Sequence, residues 1–277
     1  MASPTVDRRS TSNWLVPIAV AVATAATLVV NFLANALPIN GQSTGDVTRR
    51  VEVYFVPAGY VFSIWSLIYA GLIAFSVYAF LSIGKGRPDS GTARAIAPWY
   101  LLTAVANCAW LFAWHHHAFG VSMAVMLVLL GSLIVIYRIQ DARPARSTLE
   151  FATVHLPFRV YLGWISVATI ANATIALDDA GWSGFGISEP TWGVIMVLVA
   201  SVLGLVVSLR HNDIAYAAVL IWALVGIAVR LSETTNVVVA ALAGAAGLVA
   251  AVGVIAVRRN RTRTTRVLRR RALRRSD

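Results

Sequence analysis

Apolar residues run through this chain in long blocks separated by short polar ones. Eight blocks reach membrane length, roughly residues 14–37, 60–83, 98–115, 119–139, 158–177, 192–209, 214–229 and 237–257. Inside a bilayer each backbone N–H and C=O must find its partner within the segment, so apolar runs of about 20 residues fold as helices. The pattern predicts an all-α integral membrane protein of about eight transmembrane helices. The first block is longer than the signal-peptide core of about 7–15 residues, so it reads as a retained helix. Between the first two blocks, residues 40–50 are polar and open on the turn signal Asn40-Gly41; they read as a connector. The run Ser147-Thr148-Leu149-Glu150 has the form of a capping box, which starts the fifth helix ahead of its apolar block. Pro157 then kinks that helix or restarts it as a first-turn residue.

Composition agrees with the pattern: of 277 residues, 58% are hydrophobic and only 13% are charged. Charge adds an orientation. With the N-terminus in the cytoplasm, 20 of the 23 basic residues face inside, and only Arg49, Arg50 and Arg230 face outside. Ten of the 23 follow Val257, yet without them the ratio is still 10 to 3. The expected location is the cytoplasmic membrane, with both termini cytoplasmic. The segment after the fifth block carries Asp178, Asp179 and Glu189 and no basic residue. The basic tail, 258–277, reads as a disordered anchor for anionic lipid head groups rather than a nucleic-acid site.

Aromatic residues fall on helical stripes. In the second block Trp65 and Tyr69 are one turn apart; in the third, Asn107, Trp110 and Trp114 share a face. In the fifth, Trp164, Ala168 and Asn172 are spaced by four. Such rings gather at any membrane interface, and a membrane asparagine often only bonds a neighbouring helix. Here the stripes reach the middle of their blocks, and flat rings with a few polar groups match the general form of a small-molecule pocket.

These residues resemble a family. "YLGWISVATIAN", Tyr161–Asn172, is similar to the fifth-helix signature of the translocator proteins, also called tryptophan-rich sensory proteins; "NCAW", Asn107–Trp110, resembles their third helix, and "PAGYVFSIWSLIY", Pro57–Tyr69, their second. "LPINGQSTGDV", Leu37–Val47, is similar to the first loop of a longer branch. The resemblance covers about residues 14–178. It implies a five-helix translocator-like bundle over 14–178; the cytoplasmic segment 1–13 and the three additional transmembrane helices over 190–257 rest on charge and hydropathy and have no counterpart in the resemblance. It further implies an aromatic pocket for a flat tetrapyrrole, porphyrin or haem, formed by Tyr60, Phe62, Trp65, Asn107, Trp110, Trp164, Ala168 and Asn172, and a tendency to form homodimers. Ala168 would leave room for the ligand, so Ala168→Leu would block it at little cost in stability. Between Phe62 and Trp65 the chain is one residue shorter than short members of the family, and one residue turns a helical position by about 100°.

Other chemistry is sparse. His115–His117 are consecutive, so on a helix they point about 100° apart and cannot share one ion; no metal site is assigned. His155 and His211 read as interfacial, and Arg159 as a residue reaching the head groups. No nucleophile–base pair or phosphate loop occurs, so no enzymatic role and no required cofactor are expected. A secondary transporter of small hydrophobic molecules is the alternative; against it stand the missing internal repeat and the lack of a recognisable buried carboxylate. The expected function is sensory or regulatory binding of a tetrapyrrole within the lipid bilayer.

Overall fold

The computed structural model describes residues 8–37, 39–42, 44–49, 53–83 and 90–273. The side chains of Arg8, Arg9, Arg49, Arg50, Lys85 and Arg87, and of the basic tail beyond residue 260, lie outside what is described, and with them the proposed lipid anchor. Among the described residues the fold is all helical. The helices are α1 (Arg8–Ala36), α2 (Thr44–Arg49), α3 (Ile64–Ile83), α4 (Gly91–His115), α5 (Phe119–Ala142), α6 (Thr148–Glu150), α7 (Leu156–Asp179), α8 (Glu189–His211), α9 (Ile214–Arg230) and α10 (Thr235–Leu273). Seven described helical segments are long and apolar enough to cross a membrane, and α9 is a shorter apolar eighth.

Local chemistry sets the boundaries. Ser147 Oγ accepts from the Glu150 backbone N–H at 3.1 Å, and Glu150 Oε2 accepts from the Arg146 N–H at 2.8 Å, so each end of the capping run closes an exposed donor. A π-helical turn, Phe151–His155, carries the chain to α7, whose first turn holds Pro157. The helix runs on without a break through Pro157, and the π-helical turn just before it is where the missing N–H is accommodated. Between α8 and α9 the turn is two residues long: Asn212 takes the left-handed conformation (φ 52°) and Asp213 caps α9 through Oδ1, 3.1 Å from the Tyr216 N–H.

Helix α4 packs along α5, and α1 lies against α3 and α4. Helix α7 is the central member, touching α3, α5 and α9, while α10 packs on α8 and α9. Residues Tyr161 to Val167 of α7 are all buried, unlike any lipid-facing helix. One apolar core runs from Phe75 and Tyr100 in the first helices to Leu220 and Leu248 in the last. The small residues of α10 serve this core: a Cβ on Gly244 would collide with Ser201 of α8, so the stripe permits close helix contact.

Two expectations are corrected here. Residues 40–49 are not a bare connector, since a turn at Ile39–Gly41 and helix α2 lie over the end of α4. The tail is not disordered as far as Leu273, because α10 continues through it, and Arg259 Nη2 donates to the Asn212 carbonyl at 2.6 Å.

Candidate functional site

Seven of the eight residues singled out from the sequence line one cavity: Phe62, Trp65, Asn107, Trp110, Trp164, Ala168 and Asn172. Helix spacing brings them together, as α3, α4 and α7 each turn one aromatic stripe toward the same axis. The rings meet edge to face. Trp164 is 5.5 Å from Phe62 at 82° and 6.3 Å from Trp65 at 83°, the geometry that aromatic quadrupoles favour. Trp110 stacks on Trp114 at 5.2 Å, and Trp114 completes the wall.

Tyr60 is the exception and is corrected. It is 45% exposed, and its ring packs edge-on against Trp222 of α9 at 5.2 Å. The short 3-10 turn Gly59–Ser63 explains this, since it is docked onto α9 rather than wound into α3. Trp222 Nε1 donates to the Val61 carbonyl at 3.1 Å, and the Ala58 N–H donates to the Gly226 carbonyl at 3.0 Å. Any Cβ at position 226 would strike Val61, so glycine is required for this approach.

The polar groups are ordered by one another. Asn172 Oδ1 accepts from Trp110 Nε1 at 2.8 Å, and its Nδ2 donates to Ser122 Oγ at 3.0 Å. Asn107 Oδ1 accepts from Asn31 Nδ2 of α1 at 2.7 Å. Among the described residues, Trp164 Nε1, a buried donor in the wall, has no hydrogen-bond partner, and Asn107 Nδ2 has none but a weak interaction with the Tyr161 hydroxyl. A buried donor left unmade costs about 1–3 kcal/mol, so both favour an incoming acceptor. Asn31 and Ser122 escaped the sequence reading. Asn31 had a usable signal, being an amide inside an apolar block that needs a partner; Ser122 had none.

The cavity holds about 50 Å³, room for one or two waters, whereas small-molecule sites span about 300–1,000 Å³. Thr44, the first residue of α2, is among its lining residues, so α2 forms a cap on one side of it. The histidine run, set aside as a metal site, fastens this cap. His115 is fully buried, its Nε2 pairs with Thr44 Oγ1 at 2.9 Å, and its carbonyl accepts from Asn40 Nδ2 at 3.1 Å. His117 Nε2 lies 3.3 Å from Gln42 Oε1. Val47 joins Val56, Trp114, Phe119 and Ile175 in a small apolar cluster beneath α2.

At the opposite end of α7 lies an ionic cluster that the sequence reading missed. Arg159 does not reach for head groups; its Nη1 bonds Asp213 Oδ2 at 3.0 Å, and its Nη2 lies 3.7 Å from Asp141. Tyr137 donates to the same Asp213 oxygen at 2.9 Å, and Arg159 sits 5.3 Å from the Tyr137 ring centre. His211 Nδ1 is 2.6 Å from Asp141 Oδ2, and His155 is buried by the surrounding protein. Asp213 is 1% exposed, so a buried carboxylate does exist. It could not be read from sequence because its partners lie on α5 and α7.

The family described as TSPO-like protein matches residues 17–255, from within α1 to within α10. The match includes the last three helices, which the sequence resemblance had left out. No curated protein and no solved structure matches the chain.

Proposed function

The chain belongs to the TSPO-like family, a multi-pass membrane protein of a sensory and ligand-binding kind, and from that premise we propose that it binds a flat apolar molecule bearing acceptor groups, a tetrapyrrole, in the ring-lined cavity. The observation that carries this reading is the pairing of aromatic walls with two under-used buried donors among the described residues, Trp164 Nε1 and Asn107 Nδ2. A ring system stacked on the indoles would bring carboxylate or carbonyl oxygens to those donors. At about 50 Å³ the cavity must open first. The cap over it is held by a few hydrogen bonds from His115 and His117, each worth about 1 kcal/mol net, so opening is within reach of ligand binding. The cap would then report occupancy, which suits a sensor better than a catalyst. The site has no acid–base pair, and we assign no enzymatic step.

On this proposal the protein sits in the cytoplasmic membrane with both termini inside, so the cap faces outward. The buried carboxylate Asp213 favours a second reading, ion-coupled transport of small hydrophobic molecules. Arg159, Tyr137 and the start of α9 already satisfy that carboxylate, so sensing is preferred. The test is a protoporphyrin titration followed by tryptophan quenching. Trp164→Ala should weaken binding several-fold, since a ring contact contributes about 0.5–1.5 kcal/mol beyond its area. Unchanged quenching in that variant would remove the proposal, and ion-dependent uptake into vesicles would favour transport.

A further inference from the structure

The ring-lined cavity is not the only hollow among the described residues. A groove of about 520 Å³ opens between the exit of the first loop, the end of α7 and the start of α8. It lies at the same end as the cap. Its walls include Tyr54, Trp182 and Trp192, and the two indoles meet at 5.0 Å, tilted by 55°. The connecting loop is built to hold them. Gly184, Phe185 and Gly186 all take positive φ (63°, 54° and 76°), and Trp192 Nε1 donates to the Gly184 carbonyl at 2.9 Å. A left-handed phenylalanine is uncommon, and Phe185 is 81% exposed and edge-on to Trp182 at 5.3 Å.

Charge distinguishes this groove from an ordinary interfacial belt of aromatics. Asp178 of α7 and Glu189 of α8 are both among its lining residues, so two acidic residues border it from different elements. Among the described residues that line it there is no basic side chain. Indole faces attract cations, most strongly where water is excluded, and the carboxylates add to the attraction. The volume falls within the range of small-molecule sites.

We propose that this groove is a second binding site, separate from the ring-lined cavity, for an organic cation with an apolar body: a quaternary or protonated amine. The cationic centre sits between Asp178 and Glu189, and the body lies on Trp182 and Trp192. Two sources carry that chemistry, a soluble amine and the choline head group of a lipid.

The experiment uses the full chain in maltoside micelles and an isosteric pair of probes, tetraphenylphosphonium and tetraphenylborate. Calorimetry should show saturable binding of the cation, with the anion weaker by about tenfold or more, because shape is shared and only charge differs. Both carboxylates are at the surface, so Asp178→Asn/Glu189→Gln should fold and should weaken the cation by about tenfold. Protoporphyrin quenching in that double variant should stay at the unmodified level, which keeps this site distinct from the cavity. Trp182→Ala should weaken the cation as well. Competition by added phosphatidylcholine, and not by phosphatidylglycerol, would assign a lipid head group; no competition by either would assign a soluble cation. Equal binding of the two probes, no saturable binding, or a double variant with undiminished affinity for the cation would overturn the proposal.

Discussion

Ala168 shows how one residue's meaning depends on the space around it. It lines the cavity midway between Trp164 and Asn172, as its spacing implied. Yet a cavity of about 50 Å³ cannot take a leucine side chain without displacing a ring. Ala168→Leu is therefore expected to destabilise the protein by about 1–3 kcal/mol, as overpacking does, as well as to block ligand. That outcome differs from the stability-neutral one that the stripe alone suggests. Thermal unfolding in detergent checks this, and an unchanged melting temperature would mean that the cavity is roomier in solution. His115 makes a second residue-scale case. Removing its bond to Thr44 by His115→Ala should loosen the cap by about 1 kcal/mol and speed amide exchange in α2 by roughly fivefold. Exchange confined to the unmodified rate would show that the apolar contacts of Val47 hold the cap unaided.

Among the elements, α7 joins the first helices to the last. Its stripe faces the cavity, and its Arg159 ties α5 to the start of α9 through Asp141 and Asp213. Asp213→Asn would keep a capping oxygen for α9 but strand a buried guanidinium. Breaking a buried pair in this way costs about 3–5 kcal/mol, and the lower end applies because Asp141 remains nearby. Adding Arg159→Met should recover most of the loss, since replacing both charges is far milder than removing one. Matched melting curves of the single and double variants decide it; equal losses would show that Asp213 acts through the Tyr137 bond or the cap alone.

Across the whole molecule, the five-helix division read from the sequence meets a continuous core. Leu220 and Leu224 of α9 share that core with Val61 and Trp164, and Gly226 receives the turn that starts α3. A chain ending at residue 180 should therefore fail to give a monodisperse bundle, and co-expressing residues 181–277 should restore it. A stable, porphyrin-binding fragment 1–180 would instead make the last three helices an appendage. Orientation has its own check, with reporters after Asp277 and within the loop at Gly181. The basic residues predict an inside signal at the first and an outside signal at the second. An outside signal at Asp277 would overturn the eight-helix topology.

Helix number and the rotation of each stripe were determined by sequence alone, because hydropathy over about 20 residues and a period of 3.6 are local properties. Asn107 with Trp110, and Trp164 with Asn172, could each be put on one helix face for that reason, whereas their meeting in one pocket with Trp65 was only what the resemblance implied. Tyr60 could not be placed, since its direction is set by Trp222, far along the chain, and by a turn that the helical period does not describe. Asp213 and Arg159 were equally opaque: each is a lone charge at a helix end until α5, α7 and α9 are packed. The size of the cavity also belongs to tertiary structure. Residue types specify what lines a space, whereas its volume is the small remainder after large side chains interdigitate, and only the packed arrangement fixes that remainder.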